Sequence, residues 1–364
     1  MKISGVDVLR YELPLMEPVT LKGRQLEKRR GLLLGLSEAS GRTGWGEIAP
    51  LAGFSRESFQ QAGEQALKAA AILRTTDLPA HWAPLEFGLS FLPASKDWSP
   101  SVTFGIELAL WNLWLQVHGD TTDRPGQGPS NTVLLNGLLT GDGARILRQA
   151  GFMVEAGYSA VKMKVGDKSM EEDIRLTLKV REAIGPRTGL RLDANRAWNL
   201  DQALEFARGV NGSAVEYIEE PLAKVSDLIK YTDACHLPVA LDETLLEFPP
   251  EHWEGFPAVK AIVLKPTLLG GLHRTLALAR RARRLGILPV VSSTFESGIG
   301  ILGLARLAAL ACAGTPAGLD TYRWLASDVI RPRIETTDGR IDLNSLGATS
   351  YRINSSSLQV FADA

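Results

Sequence analysis

The sequence contains few of the residues that mark several large classes of protein. It has only two cysteines, Cys235 and Cys312, in 364 residues, so no disulfide framework follows and a reducing cytosol fits. The formal net charge is -1 and the pI is about 6.6, so no global field favours nucleic acid or an anionic membrane. We therefore expect a cytoplasmic protein with neither of these partners.

Long apolar runs and nucleotide-binding motifs are also missing. Residues 1–7 contain no apolar core of a signal peptide. The apolar stretch at 299–313 is interrupted by Gly303 and Arg306 and is too short to span a bilayer. No Gly-x-Gly-x-x-Gly or phosphate-loop motif follows a predicted strand, which argues against a nucleotide site.

From Thr132 onward the pattern alternates short apolar runs with amphipathic segments. About eight strands at this spacing fit a (β/α) barrel better than a doubly wound sheet. The preceding part has strands followed by helices, which is typical of an α+β unit. The strands are predicted at 132–138, 160–165, 188–193, 215–220, 238–242, 259–264, 288–293 and about 317–320.

These patterns divide the chain into three parts. We predict an α/β fold, a modified TIM barrel of the (β/α)7β type, at 131–328, preceded by an α+β capping domain at 1–130. The stretch from 119 to 131 is the linker candidate, and the stretch from 75 to 100 looks irregular. A C-terminal segment at 329–364 is expected to pack back on the capping domain.

Charged residues stand at the ends of the predicted barrel strands. In a parallel barrel all strands end at one rim, so residues far apart in sequence meet there. Three carboxylates suit a hard cation such as Mg²⁺, and lysines facing it suit proton abstraction next to a carboxylate. The groups are Lys162-Met163-Lys164, Asp193-Ala194-Asn195, Glu219-Glu220-Pro221, Asp242-Glu243-Thr244 and Lys265-Pro266-Thr267.

The two lysines of the first group lie two residues apart on one strand, so both point the same way. Each like charge, together with a nearby cation, would lower a lysine pKa toward neutrality, which a general base needs. Which of Glu219 and Glu220 faces inward depends on strand parity, and the sequence leaves this open. No histidine ends a predicted strand, which argues against a histidine base and against a metal-dependent hydrolase.

These motifs resemble the enolase superfamily, in its muconate-lactonizing branch, and within it the o-succinylbenzoate synthase family. The resemblance runs from about residue 5 to 325. Beyond the Lys-x-Lys pair and the three acids, it rests on residues 44–55, which read Gly-Trp-Gly-Glu-Ile-Ala-Pro-Leu-Ala-Gly-Phe-Ser, and on residues 190–198, 265–268, 292–297 and 318–321.

The resemblance implies roles for the strand-end residues. Asp193, Glu219 and Asp242 would bind Mg²⁺, with Mn²⁺ as a substitute. Lys164 would take the proton α to the carboxylate of a small-molecule substrate and return it to the leaving hydroxyl. Lys265 would stabilise the enediolate from the opposite face, and Lys162 would tune Lys164.

The implied reaction is a syn dehydration of 2-succinyl-6-hydroxy-2,4-cyclohexadiene-1-carboxylate to o-succinylbenzoate in menaquinone biosynthesis. A loop at residues 20–24, together with the Gly-Phe-Ser turn, would form a cap that excludes water. The residues expected to bind substrate are Asn195, Ser292, Gly318, Leu319, Gly53, Phe54 and Ser55.

Two other readings stay open at the level of sequence. An N-succinyl amino acid racemase or a dipeptide epimerase of the same superfamily would use the same two lysines. Dipeptide epimerases usually carry Asp-x-Asp at the last strand, where this chain has Asp320-Thr321-Tyr322, which argues against an amino substrate. A catalytically inactive barrel would be revealed by loss of Mg²⁺ binding. The sequence does not set the oligomeric state.

Overall fold

Two sheets organise the part of the chain that the computed structural model describes, which is residues 2–21, 23–79, 83–92, 95–119, 131–247, 253, 258–344 and 351–361. The strands are β1 (Ile3–Leu21), β2 (Arg24–Glu38), β3 (Thr43–Ile48), β4 (Thr132–Leu134), β5 (Asn136–Leu139), β6 (Ala160–Lys164), β7 (Gly189–Asp193), β8 (Val215–Glu219), β9 (Val239–Leu241), β10 (Val259–Leu264), β11 (Leu288–Val291), β12 (Ile330–Arg331), β13 (Arg340–Asp342), β14 (Arg352–Ile353) and β15 (Leu358–Val360). The helices are α1 (Phe59–Arg74), α2 (Pro84–Phe87), α3 (Pro100–His118), α4 (Gly143–Glu155), α5 (Met170–Ile184), α6 (Leu200–Gly209), α7 (Leu228–Ala234), α8 (Pro266–Leu269), α9 (Leu272–Arg284) and α10 (Gly298–Ala311).

The N-terminal sheet is antiparallel and has the strand order β15-β1-β2-β3. Helices α1 and α3 pack on it around an apolar core of their own. The close approach of α3 to β3 depends on glycine, because a Cβ at Gly46 would lie 1.8 Å from the carbonyl oxygen of Gly105. The Gly-Trp-Gly-Glu motif is therefore first of all a packing motif.

The second sheet is parallel and runs in the order β5 to β11. It closes through residues 317 and 318, since Leu135 forms a parallel bridge with Ala317 and Ser292 with Gly318. These features confirm the α/β modified TIM barrel. The strand predicted near 317–320 is shorter than expected, because residues 320–324 form a 3₁₀ helix.

The helices between the barrel strands begin where the sequence offers caps. The side chains of Asp142, Ser169 and Asn199 accept hydrogen bonds from the third residue of α4, α5 and α6, respectively. Such caps satisfy the free N–H groups of a first turn. Each helix then covers the outer face of the sheet with its apolar side.

Inside the barrel, strand alternation places a small apolar cluster below the rim. It consists of Tyr217, Ala240, Ala261, Val263 and Val290. Tyr217, Ala240, Ala261 and Val263 lie two or four positions before Glu219, Asp242 or Lys265, so they share a face with these charged residues. Buried Arg191, whose guanidinium lies over the Tyr217 ring, shares this interior with the apolar cluster.

Several expectations fall partly outside the described residues. The predicted linker lies almost wholly at 120–130, which are among the undescribed residues, so the domain limits stay predictions. The stretch at 75–100 contains α2 and a 3₁₀ turn in its described portions. Within the described residues, no helix has both the length and the apolar character that crossing a bilayer demands.

Candidate active site

Pairing between neighbouring strands brings the predicted site residues to one rim. Lys164 pairs with Asp193, and Asp193 pairs with Glu219 across adjacent strands. Asp242 directly follows β9, and Lys265 directly follows β10. The rim is therefore the carboxyl end of the parallel sheet, where barrel enzymes place their active sites.

Five of these side chains form a mostly buried group, which we call the rim cluster: Lys162, Asp193, Glu219, Asp242 and Lys265. The Nζ atom of Lys162 lies 2.7 Å from Asp193 Oδ2 and 2.7 Å from Glu219 Oε2. The Nζ atom of Lys265 donates to Asp242 Oδ2. Glu219 is the most buried of the five, with 1% of its side chain exposed.

The charges of the rim cluster shift each other's pKa values. Burial disfavours the ammonium of Lys162, yet Asp193 and Glu219 outweigh burial and raise its pKa well above the ordinary value. Burial likewise opposes charge on Asp193, but Lys162 keeps the pKa of that carboxyl low. For Glu219, burial and the neighbouring Asp193 raise the pKa. The sequence predicted a lowered lysine pKa beside a bound cation, whereas the two carboxylates that contact Lys162 in this structure raise its pKa.

Lys164 stands apart from the rim cluster. Its side chain is 45% exposed at the barrel mouth, and its Nζ atom lies 3.0 Å from Oδ2 of the exposed Asp167. The sequence correctly placed the two lysines on one strand face. It did not indicate that one would be buried among carboxylates while the other reached into the open.

The donor set of the rim suits a hard cation. Asp193, Glu219 and Asp242 offer carboxylate oxygens, the ligands that Mg²⁺ prefers. Glu219 Oε1 is buried without a hydrogen-bond partner, a costly state that a cation would relieve. In the present side-chain arrangement, no three or more His, Cys, Asp or Glu side chains of the described residues are grouped to hold a metal, and lysine ammonium groups contact these carboxylates instead.

The two glutamates at the end of β8 point to different places. Glu219 contacts Lys162, whereas Glu220 adopts a positive φ of 43° and accepts hydrogen bonds from the backbone N–H groups of Asp242 (2.7 Å) and Thr244 (2.8 Å). The question that strand parity left open is thus settled by geometry. Only Glu219 belongs to the rim cluster.

Asn195, expected to bind substrate, contacts a neighbouring acid in this structure. Its Nδ2 atom donates to Asp193 Oδ1 at 2.8 Å and its backbone N–H to the same oxygen at 3.1 Å. The side chain is exposed. Asn195 therefore orients the Asp193 carboxylate while remaining open toward the mouth.

Ser292 and Gly318 meet where β11 joins the segment that closes the barrel. Ser292 Oγ donates to the carbonyl oxygen of Gly318 at 3.3 Å, and a Cβ on Gly318 would lie 2.6 Å from that hydroxyl. A side chain at position 318 would therefore displace the Ser292 hydroxyl. Leu319 is only 1% exposed and packs in the main apolar core.

The Gly-Phe-Ser segment forms a tight turn after β3. Ser55 Oγ accepts from the backbone N–H of Leu51 at 2.9 Å, and Gly53 has a φ of 87°. Phe54 packs against the main apolar core. The other expected cap element, residues 20–24, is the tip between β1 and β2, and residue 22 lies outside the described residues.

Sequence reasoning missed the contacts that join the N-terminal sheet to the barrel. Buried Arg29 donates to the carbonyl oxygens of Ala49, of Pro50 (2.8 Å) and of Phe295 (3.0 Å). It thereby ties the start of the 49–55 segment to the loop after β11. That segment is held at the barrel mouth by this contact.

Three buried glutamates also lie at this junction, which we call the seam: Glu47, Glu107 and Glu296. Glu47 accepts from Tyr11, from the backbone N–H groups of Ser297 and Gly300, and from the Ser297 hydroxyl. Burial, followed by the nearby charge of Glu296, raises the pKa of Glu47 to about 7. In the sequence, Glu47 stands out as an acid inside an apolar run, but that pattern does not indicate which groups would donate hydrogen bonds to it.

Family models match most of the chain. Residues 145–348 match "Enolase C-terminal domain-like" and residues 3–113 match "MenC, N-terminal domain". The o-succinylbenzoate synthase of Pasteurella multocida is 34% identical over 94% of this chain and 96% of that protein. The o-succinylbenzoate synthase of Vibrio cholerae is 36% identical over 90% of each.

Solved structures that share this fold include enzymes other than o-succinylbenzoate synthases. The muconate lactonizing enzyme of Pseudomonas fluorescens superposes with a TM-score of 0.83 at 20% identity, covering 98% of both chains. The L-Ala-D/L-Glu epimerase of Bacillus subtilis gives 0.80 at 24% identity, covering 94% of this chain and 96% of that one. At 20–24% identity these likenesses show the fold alone. The sequence relatives are 34% and 36% identical over at least 90% of the chain, so this protein belongs to the o-succinylbenzoate synthase family of the enolase superfamily.

Proposed function

We propose that the protein is a lyase that dehydrates 2-succinyl-6-hydroxy-2,4-cyclohexadiene-1-carboxylate to o-succinylbenzoate, in menaquinone biosynthesis in the cytoplasm. The observation that carries this proposal is the rim itself, with three carboxylates at successive strand ends and lysines on both sides of them. The names of the sequence relatives give the product, o-succinylbenzoate, and the resemblance of the motifs implies the substrate. The arrangement supplies the means of removing a proton next to a carboxylate.

Asp193, Glu219 and Asp242 are the residues that would hold Mg²⁺, or Mn²⁺ in its place. When bound there, the ion stabilises the second negative charge that develops on the substrate carboxylate. Asn195 holds Asp193 in orientation through the 2.8 Å contact. A cation among the carboxylates would also take over the charge balance that Lys162 now provides.

Lys164 is the proposed base. Its Nζ atom takes the proton from the carbon next to the carboxylate, and the electron pair of the broken C–H bond moves into the enediolate. The same ammonium then gives the proton to the departing hydroxyl on the same face, which leaves as water while the ring becomes aromatic. Asp167, 3.0 Å away, stabilises the ammonium between the two steps.

Lys265 and Lys162 assist without transferring protons. Lys265 lies across the rim and carries a positive charge, since Asp242 and Glu219 outweigh burial and raise its pKa. That charge faces the enediolate from the side opposite Lys164. Lys162 sits two residues before Lys164 on β6, so its fixed positive charge lies on the same strand face as the base.

The substrate pocket in this proposal lies between the barrel mouth and the 49–55 segment. Ser292, which packs against the bare backbone of Gly318, would line the pocket for the succinyl arm, with Leu319 behind it in the core. Asn195 is exposed at the other side of the mouth. Gly53, Phe54 and Ser55 would close over the substrate and exclude water.

A second candidate is racemisation of N-succinyl amino acids, because lysines on two sides of the rim suit removal and return of a proton on opposite faces. A dipeptide epimerase is disfavoured by Asp320. Its carboxylate accepts from Tyr158 Oη (2.8 Å), the Leu138 N–H (3.1 Å) and Arg323 Nε (2.8 Å), so it is not free to hold a substrate ammonium.

The proposal is tested by following the absorbance of the cyclohexadiene substrate with Mg²⁺, and again after EDTA. Fast turnover that EDTA abolishes is the expected result. A folded protein that binds Mg²⁺ yet leaves the substrate unchanged would contradict it. The racemase candidate predicts exchange of the α-proton of N-succinyl amino acids in D₂O.

A further inference from the structure

Glu220 is a buried acid that the proposed mechanism does not use. Its side chain is 3% exposed, yet its carboxylate accepts four hydrogen bonds. Two come from the backbone N–H groups of Asp242 (2.7 Å) and Thr244 (2.8 Å). The others come from Thr244 Oγ1 (2.7 Å) and Arg196 Nε (3.0 Å).

These contacts join three loops. Arg196 follows β7, Glu220 ends β8 and Thr244 follows β9, and we call the three residues the loop clamp. The N–H of Arg196 also donates to the carbonyl oxygen of Glu220 at 2.7 Å, and its Nη2 atom donates to Thr244 Oγ1 at 2.8 Å. Each loop carries one of the proposed metal ligands one to three positions before its member of the clamp.

The backbone shows that the clamp imposes the shape of these loops. Asn195, Arg196 and Glu220 all adopt positive φ angles, of 44°, 61° and 43°. Residues other than glycine keep this conformation only where surrounding contacts hold it. Two of the three are members of the clamp, and Asn195 lies between the clamp and Asp193.

We propose that Glu220 is a positioning residue for the metal site, and this rests on the proposed function. Its carboxylate fixes the backbone of Asp242 directly and the loop carrying Asp193 through Arg196. The three loops that carry the proposed ligand carboxylates are thereby tied to one another, and they would present those carboxylates together to a divalent cation. Residues behind a ligand set usually change metal affinity about 10–100-fold when they are altered.

The test is Glu220→Gln, with Mn²⁺ binding measured directly from the electron paramagnetic resonance signal of free Mn²⁺. The amide keeps the volume of the side chain but presents N–H donors to the Arg196 or Thr244 donors. We expect the dissociation constant for Mn²⁺ to rise about 10-fold or more. The Mg²⁺ concentration at half-maximal activity should rise in parallel, while kcat at saturating Mg²⁺ recovers and substrate KM changes less than about threefold.

Glu247→Gln is the matched control. Glu247 pairs with the same guanidinium at 2.7 Å, but its side chain is 52% exposed, so loss of its charge should leave Mn²⁺ affinity within about twofold. Arg196→Lys keeps the charge and loses the guanidinium fork, and should weaken Mn²⁺ binding several-fold. If circular dichroism shows that Glu220→Gln does not fold, Mn²⁺ binding by Arg196→Lys becomes the test of the proposal.

Two different failures are distinguishable. A wild-type protein that neither binds Mn²⁺ nor turns over the substrate would overturn the proposed function before any variant is compared. A wild-type protein that does both, beside a folded Glu220→Gln or Arg196→Lys that binds Mn²⁺ equally well, would overturn only the positioning role of Glu220.

Discussion

The rim cluster and the seam both bury carboxylates, but they satisfy them in different ways. At the rim, Asp193, Glu219 and Asp242 contact lysine ammonium groups. At the seam, the acids accept from neutral donors: Glu47 from backbone N–H and hydroxyl groups, and Glu107 from the N–H of His273 at 2.9 Å.

This difference separates chemistry from architecture. An ammonium on a flexible stem can withdraw and leave its carboxylates to a metal ion or a substrate. The N–H groups at the start of a helix are fixed, as in α9 for Glu107 and α10 for Glu47, so these acids serve as caps contributed from elsewhere in the chain. A buried acid is therefore a candidate for catalysis only when its partners are able to move.

The largest effect should come from the lysine that stands outside both groups. Lys164→Ala removes the proposed base, so turnover should fall by at least about 10²–10⁴-fold with the fold intact. Steady-state dehydration kinetics measure this, and circular dichroism checks the fold. Lys179→Ala, which removes an exposed lysine from α5, should retain activity. Appreciable turnover by Lys164→Ala would remove its role as base.

Asp242→Asn tests whether the Asp242 carboxylate contributes to metal binding at the rim. The neutral amide weakens both the metal site and the contact with Lys265, so Mg²⁺ affinity should fall more than about 10-fold. Isothermal titration with Mg²⁺ measures it, with Asp233→Asn on the exposed face of α7 as the control. Unchanged affinity would exclude Asp242 from the ligand set.

The pH dependence of stability tests whether Glu107 is protonated in the seam. Burial raises its pKa from 4.5 to about 7, so between these pH values the folded protein holds a proton that the unfolded chain has released. The free energy of unfolding therefore falls as pH rises through this window, by on the order of 3 kcal/mol from this group. Glu107→Gln is uncharged at every pH and should flatten that part of the fall.

Urea unfolding at pH 5, 6, 7 and 8 measures the effect of Glu107→Gln. Exposed Glu205 on α6 provides the control, since Glu205→Gln should leave the pH profile of stability unchanged. An identical profile in Glu107→Gln and wild type would mean that Glu107 is ionised throughout. The seam would then resemble the rim more closely than its partners suggest.

The smallest effect is expected at the turn in the 49–55 segment, which Arg29 holds at the barrel mouth. Ser55→Ala removes the acceptor for the Leu51 N–H, a loss of about 1 kcal/mol for a partly exposed bond. Substrate KM should rise about twofold to fivefold with little change in kcat. Ser4→Ala removes a hydroxyl that bonds to Ser37 in the N-terminal sheet and should leave both constants unchanged.

The barrel was predictable because its pattern is local. Strand period, helix caps and the common rim of parallel strands follow from residues that are near each other in sequence, and the observed sheet confirms that fold. The placement of Asp193, Glu219 and Asp242 at strand ends follows from the same logic. The direction of Glu220 does not, because its positive φ depends on Arg196 and Thr244 in other loops.

The seam was not predictable because its contacts are long-range. Glu47 meets Ser297, 250 positions later, and Glu107 meets His273, 166 positions later. Nothing near either glutamate in sequence indicates a buried helix terminus. The pairing of Lys162 with two carboxylates was missed for a related reason, since strand parity gives the face of a side chain but not its partner.

The N-terminal sheet can be completed only late in synthesis, because it includes β15 from the far end of the described chain. It forms the edge of the N-terminal sheet beside β1, where Leu9 pairs with Val360, about 350 residues later. A ribosome adding roughly 5–20 residues per second would leave that edge of β1 open for about 20–70 s. Unpaired edges recruit other strands, so residues 9–11 of a nascent chain remain open to pairing with another chain until β15 emerges.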